Sequence, residues 1–164
     1  MSSRNGTHIV IVAGGELGDW CHSYFQKGNW FIGADRGAWF LVEKGIKPDL
    51  ALGDFDSVTP VERQQIETAS KQFKSCDPVN KDWTDTEWAM HEALALEPDS
   101  IVLLGATGTR FDHTLANIHL LKQAADAGIP CLVADAHNEI RLLGGGRTCI
   151  LSRSRFGQVS LLPL

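Results

Sequence analysis

No stretch of the sequence approaches the roughly 18 consecutive apolar residues of a membrane-spanning helix. The amino-terminal MSSRNGTH lacks the apolar segment of a secretory signal. Positive charge is in deficit: 15 Lys and Arg against 20 Asp and Glu leave a formal net charge of −5. That balance argues against a general nucleic-acid binder, which carries a basic stripe. It leaves room for a phosphorylated small molecule, because a divalent cation can bridge acidic side chains to phosphate. The four cysteines, Cys21, Cys76, Cys131 and Cys149, form no CxxC pair, so neither a zinc site nor a disulfide framework is indicated. Cys131 and Cys149 lie in apolar runs and read as small buried hydrophobes. The chain has no GK[ST] phosphate-loop ending and no dinucleotide fingerprint. No Ser/His/Asp or Cys/His set stands out, and there is no internal repeat or low-complexity linker. A cytoplasmic protein that spans no membrane and binds no nucleic acid is the expectation.

What is present is enough for one well-buried domain. The chain has 164 residues, 43% of them hydrophobic and 21% charged, which sets it apart from a disordered sequence. Apolar β-branched runs alternate with helical patterns, as in a βαβ sheet. HIVIVAGG (8–15), WFIGADRG (30–37), DLALGD (49–54), IVLLG (101–105) and CLVADA (131–136) read as strands. Ala38, Trp39, Leu41 and Val42 begin a helix that Gly45 closes. Thr59-Pro60-Val61-Glu62 supplies a cap, a proline at the first helical position and a capping-box glutamate for a helix to about Lys71. Thr84-Asp85-Thr86-Glu87 is a second capping box, for a helix to about Leu96. A helix over about 112–127 carries Leu115, Ile118, Leu121 and Ala125 along one face and stops at Gly128-Ile129-Pro130. EIRLL-GGG-RTCIL reads as a hairpin, and FGQVSLLPL alternates like the start of another strand.

Acidic residues recur where strands end. Asp35 follows the second strand, Asp54 and Asp56 the third, and Arg110 with Asp112 the fourth, while Asp82 and Asp85 flank a helix start. Ligands of open parallel sheets bind beyond those carboxyl ends. In GDFDS (53–57), an extended backbone would point Asp54 and Asp56 to one side and Phe55 to the other. Two readings stand: a magnesium site facing phosphate oxygens, or an Asx-turn with Ser57. Asp85 also suits the helix dipole by its position in a first turn. Lys81 is either a phosphate partner or a surface lysine, and His113 either a general base or a structural residue at a helix start. The loop Gly105-Ala106-Thr107-Gly108-Thr109-Arg110 can bring backbone N–H groups to a phosphate chain at a helix N-terminus. Ala13-Gly14-Gly15-Glu16-Leu17-Gly18 likewise allows close backbone approach. Trp39 and Trp88 occupy helix positions that suit packing.

ADRGA (34–38), GIKPDLALGDFDS (45–57), KDWTDTEWA (81–89) and GATGTRFDHTLANIHLL (105–121) together resemble the thiamine pyrophosphokinase family, in its order and spacing. The resemblance implies a three-layer, Rossmann-like, mostly parallel α/β domain over residues 1–138. Residues 139–164 would be a β-hairpin and the first strands of a C-terminal β-sandwich domain. It implies magnesium-dependent transfer of the pyrophosphoryl group of ATP to the hydroxyl of thiamine, releasing AMP, in a homodimer. Asp54, Asp56 and Asp85 would be the metal carboxylates, with Asp35 and Asp82 lining the cleft. Arg110 and Asp112 would hold nucleotide and phosphates, assisted by Lys81, Arg36 and the Gly105, Thr107 and Gly108 loop. Arg36 stands where family members often have glycine. Two other functions fit the residues: a pyrophosphokinase for another hydroxyalkyl heterocycle such as a pterin, or a nucleotide- or thiamine-binding module without turnover.

Overall fold

The computed structural model describes residues 6–76, 83–151 and 156–163. Seven strands form one sheet: β1 (His8–Val12), β2 (Trp30–Ala34), β3 (Leu50–Gly53), β4 (Gln72–Ser75), β5 (Ser100–Leu104), β6 (Cys131–Ala134) and β7 (Glu139–Ile140). Their spatial order is β4-β3-β2-β1-β5-β6-β7. All neighbours run parallel except β6 and β7. The helices are α1 (Arg36–Glu43), α2 (Pro60–Ala69), α3 (Asp85–Ala95) and α4 (Phe111–Asp126), preceded by a 3-10 turn at Asp19–Tyr24.

Parallel sheets bury both faces, so their central strands are apolar throughout rather than alternating. In β1, Ile9 and Ile11 face α3 and α4, packing with Ala89, Met90, Leu120 and Leu121. Val10 and Val12 face the other way, against Leu41 of α1 and Cys21 of the 3-10 turn. A smaller cluster of Ala38, Ala51, Phe55 and Ile66 fills the space under α1 and α2. Each fully buried Ile or Leu contributes roughly 1.5–3 kcal/mol relative to exposure. The result is the expected three-layer α/β arrangement.

Helix ends follow their capping chemistry. At α2, Thr59 Oγ1 accepts from Glu62 N and the Glu62 carboxylate accepts from Thr59 N, the full reciprocal box. At α3, Thr84 Oγ1 accepts from Glu87 N, while Glu87 Oε1 accepts from Gln123 Nε2 of α4.

Five local features of the structure differ from the sequence expectations. Strand β4 is unforeseen, because an edge strand reading QFKS buries little and shows no apolar run. The hairpin around the three glycines does not form: Glu139–Ile140 pairs with β6 instead, and residues 141–150 are in no strand. Residues 156–163 are likewise in no strand, and Cys149 is exposed. On α4 the buried residues are Leu120, Leu121 and Ala124, while Leu115 is exposed near the helix start.

Candidate functional site

The sheet order changes direction at β1. The chain runs outward through β2, β3 and β4, then returns to place β5 on the other side of β1. Crevices outside the carboxyl ends of the strands at such a switch point are the usual ligand sites. The loops after β1 and β5 interlock there, with Gly15 N donating to Gly105 O and Glu16 N to Thr107 O, both at 2.8 Å. A cleft of about 210 Å³ opens beside them, lined by Gly14, Gly15, Leu17, Arg36, Trp39 and Glu43 among others.

One strand further out, Asp35, Asp54 and Asp56 converge, with one carboxylate oxygen from each lying within 4.8 Å of the others. Asp35 and Asp54 are half-buried and Asp56 is exposed. The pleat does not bring them together, since β3 ends at Gly53 and Phe55 has φ 58°. This turn drops the Phe55 ring into the core, stacked on Phe73 at 4.7 Å, and leaves the flanking aspartates outside. The expected same-side convergence is therefore real, but a left-handed turn produces it rather than an extended backbone. An Asx-turn is present, but it closes on Asp56 rather than Ser57: Asp56 N donates to Asp54 Oδ1 at 3.2 Å, while the Ser57 hydroxyl goes to Asp35. The turn and the carboxylate cluster are one structure.

Asp35 adopts φ 49°, a conformation costly for a residue with a Cβ. Its N–H donates to Leu52 O, tying the end of β2 to β3. Ser57 Oγ donates to Asp35 Oδ2, and Arg36 Nη1 donates to Ser57 O at 3.2 Å. Asp35 Oδ1 is buried and has no hydrogen-bond partner. A buried carboxylate oxygen in that state is costly unless a positive group meets it. Asp85, the first residue of α3, sits beside the same strand end. A Cβ on Gly53, whose φ is 144°, would stand 3.2 Å from Asp85 Oδ1 and from Asp35 N. Glycine is required there, and its absence of side chain lets Asp85 approach.

Arg110 caps α4 and turns its fork onto Asp112, with Nη2 to Oδ2 at 2.7 Å and Nε to Oδ1 at 3.3 Å. That bond holds the Asp112 carboxyl below the usual carboxylate range, while both side chains remain exposed. His113 Nε2 lies 4.0 Å from the same Asp112 carboxylate. In the loop after β5, Gly108 N donates to Thr114 Oγ1 and Thr107 Oγ1 to Asp135 Oδ2. The loop is thus held from both sides, with Gly105 bonded across to Gly15. Trp88 packs on the core and donates to Glu92, as a packing residue would. Lys81 and Asp82 lie outside the described residues.

Two residues of this region escaped the sequence reading. In the sequence Ser57 reads only as a turn former, whereas in the structure its hydroxyl donates to Asp35 Oδ2. Asp135 directly follows β6 and, like the other aspartates, stands after a strand, which is the signal the sequence offers. Burial raises its carboxyl, but donors from His137 N, Asn138 and Thr107 outweigh this and hold it below the ordinary value.

Residues 21–133 match the family described as thiamin pyrophosphokinase, catalytic domain. A thiamine pyrophosphokinase of Bacillus subtilis is 36% identical over 157 residues, covering 94% of this chain and 73% of that protein. Thiamin pyrophosphokinase 1 of Caenorhabditis elegans is 32% identical over 97 residues, covering 56% and 37%. The crystal structure of the Bacillus subtilis thiamine pyrophosphokinase superposes with a TM-score of 0.73 at 38% identity, over 82% of this chain and 63% of that one. The thiamin pyrophosphokinase of Candida albicans, 17% identical with a TM-score of 0.70, has the same fold. The chain thus spans a little under two thirds of the Bacillus subtilis crystal chain.

Proposed function

The chain belongs to the thiamin pyrophosphokinase family through its catalytic domain, and on that premise we propose that it transfers the pyrophosphoryl group of ATP to the hydroxyl of thiamine. The products are AMP and thiamine diphosphate. The observation that carries this reading is the trio Asp35, Asp54 and Asp56, converged at the carboxyl edge of the sheet with a buried, unpartnered Asp35 oxygen. All-oxygen donors of this kind suit magnesium, so the residues fit the ion that the family implies. Asp35, Asp54 and Asp56 would hold it, with Asp85 alongside. When bound there, magnesium supplies neutralisation of charge on the phosphate oxygens.

The chain's own groups supply positioning. The interlocked Gly15 and Gly105 loops form the floor on which the phosphate chain lies, and the cleft beside Arg36 and Trp39 receives the rest of the nucleotide. Arg110 exchanges its bond to Asp112 for a bidentate one to phosphate, and Asp112 keeps the guanidinium oriented until then. An aspartate of the cluster accepts the proton of the thiamine hydroxyl. Residues 1–138 form the nucleotide and metal half in this reading, and residues 139–164 open the part that contributes to the acceptor pocket. The protein acts in the cytoplasm as a homodimer; no helix among the described residues is long and apolar enough to cross a membrane.

Phosphorus NMR of ATP, magnesium and thiamine with this chain tests the proposal, with AMP and thiamine diphosphate as expected products. Asp54→Asn or Asp56→Asn should lower AMP formation by roughly 100-fold or more, on the scale of losing one group that stabilises transition-state charge, with an unchanged circular dichroism spectrum. An unchanged rate in both variants would remove the cluster from the reaction. AMP release with a hydroxymethylpterin but not with thiamine would reassign the acceptor. Nucleotide binding without AMP release would make the chain a binding module.

A further inference from the structure

We propose that Ser57, steadied by Arg36, is a positioning residue that aims the Asp35 carboxylate into the cluster with Asp54 and Asp56. The inference rests on the metal-binding reading above and adds to it the group that sets the geometry of one ligand.

The backbone of Asp35 is anchored by its N–H to Leu52 O, which leaves the side chain torsions as the remaining freedom. Ser57 Oγ takes up that freedom by donating to Asp35 Oδ2. One oxygen is then occupied, and the other, Oδ1, is left buried and without a hydrogen-bond partner. It is Asp35, so held, whose oxygen lies within 4.8 Å of ligand atoms from Asp54 and Asp56. The tether is itself held in place. Arg36, the next residue after Asp35, donates through Nη1 to Ser57 O, so Asp35, Arg36 and Ser57 close a small ring between the start of α1 and the turn after β3. A ligand whose direction is preset by such a partner binds more tightly, because the orienting cost is met before the ion arrives.

A serine that merely closes a turn would affect stability and leave ion affinity alone, and this separates the two roles. The measurement is Mn²⁺ binding, read from the loss of the free-ion electron paramagnetic resonance signal, on the full chain without nucleotide. Thermal unfolding of each variant is followed in parallel. Wild type should bind Mn²⁺ and Asp54→Asn should bind it far more weakly. Ser57→Ala should weaken binding by about 10-fold, in the range found for groups that orient a metal ligand, with little change in melting temperature. Ser57→Thr, which restores a hydroxyl, should recover most of the affinity. Arg36→Ala keeps the hydroxyl and removes only the tether to the Ser57 carbonyl, so its loss should be smaller; it decides the matter if Ser57→Ala does not fold. Wild-type affinity in folded Ser57→Ala, alongside loss in Asp54→Asn, overturns the role of Ser57 and leaves the metal reading intact. No Mn²⁺ binding by wild type overturns both.

Discussion

Asp49 shows how much one side chain can organise at the entrance to a sheet. It is the one charged residue among the described residues with almost no exposure, 4%. Its Oδ2 accepts from Phe31 N of β2 at 2.8 Å, and its Oδ1 accepts from Lys71 Nζ just before β4. Asp49 N donates to Phe31 O and Gln72 N donates to Asp49 O, so main chain and side chain together join the starts of β2, β3 and β4. Lys71 is largely exposed and loses little by returning to water. The cost of removing the carboxylate therefore lies with the Phe31 N–H, left without an acceptor in the interior. Asp49→Ala should lower stability by about 1–3 kcal/mol, seen as an earlier urea midpoint with an unchanged slope. Because Asp49 sits at the opposite end of β3 from the carboxylate cluster, AMP formation by the folded fraction should be retained.

At the scale of elements, close approach rather than propensity decides where α1 lies. A Cβ on Gly37 would overlap the carbonyl oxygen of Val12, so the first turn of α1 rests directly on the end of β1. Gly37→Ala must push the helix off the strand against backbone atoms that have no room to yield. A loss at the upper end of the roughly 1–3 kcal/mol typical of overpacking is expected, together with weaker nucleotide binding, since α1 carries Arg36 and Trp39 into the cleft. Isothermal calorimetry with ATP and magnesium, beside urea unfolding, checks both parts. Legibility in the sequence followed the same division. The five apolar strands and the capped starts of α2 and α3 were readable, because burial on both faces and caps each leave a local mark. Strand β4 was not, since its stability comes from pairing with β3 at an edge and only Phe73 marks it. The three glycines after Leu143 misled because a hairpin needs a partner strand as well as a turn. Asp54 and Asp56 were legible as a pair, but the turn at Phe55 was not, because φ 58° at an aromatic residue goes with burial of its ring against Phe73, a contact from another strand. Asp35 belongs to the cluster through the pairing of β2 with β3, a non-local fact that no short motif records.

For the whole molecule, two covered faces around one sheet predict how tightly each part of the chain is protected. β1 lies between β2 and β5 at the centre, while β4 and the two-residue β7 are the edges, so amide protection should decline outward from β1. The cysteines report on the same gradient through their thiols. Cys21, within the 3-10 turn, is fully buried, Cys131 begins β6 with partial burial, and Cys149 is exposed. Burial pushes the Cys131 thiol from its ordinary 9.0 up to about 12, so near pH 8 it is neutral and a poor nucleophile. Mass-resolved labelling with a thiol reagent at that pH should modify Cys149 first, with Cys21 and Cys131 following only as the sheet opens. Equal rates at Cys131 and Cys149 would mean that β6 is not packed as described. The raised value also has a consequence for alkaline stability. The folded state holds the Cys131 proton more tightly than the unfolded chain, so this contribution is fully present below about pH 9 and is lost as pH climbs towards 12. The slope from this one group cannot exceed about 1.4 kcal/mol per pH unit. Urea midpoints measured from pH 8 to 11 should fall in the wild type and fall less steeply in Cys131→Ala. The variant's lower starting stability does not obscure the result, because the comparison is between slopes.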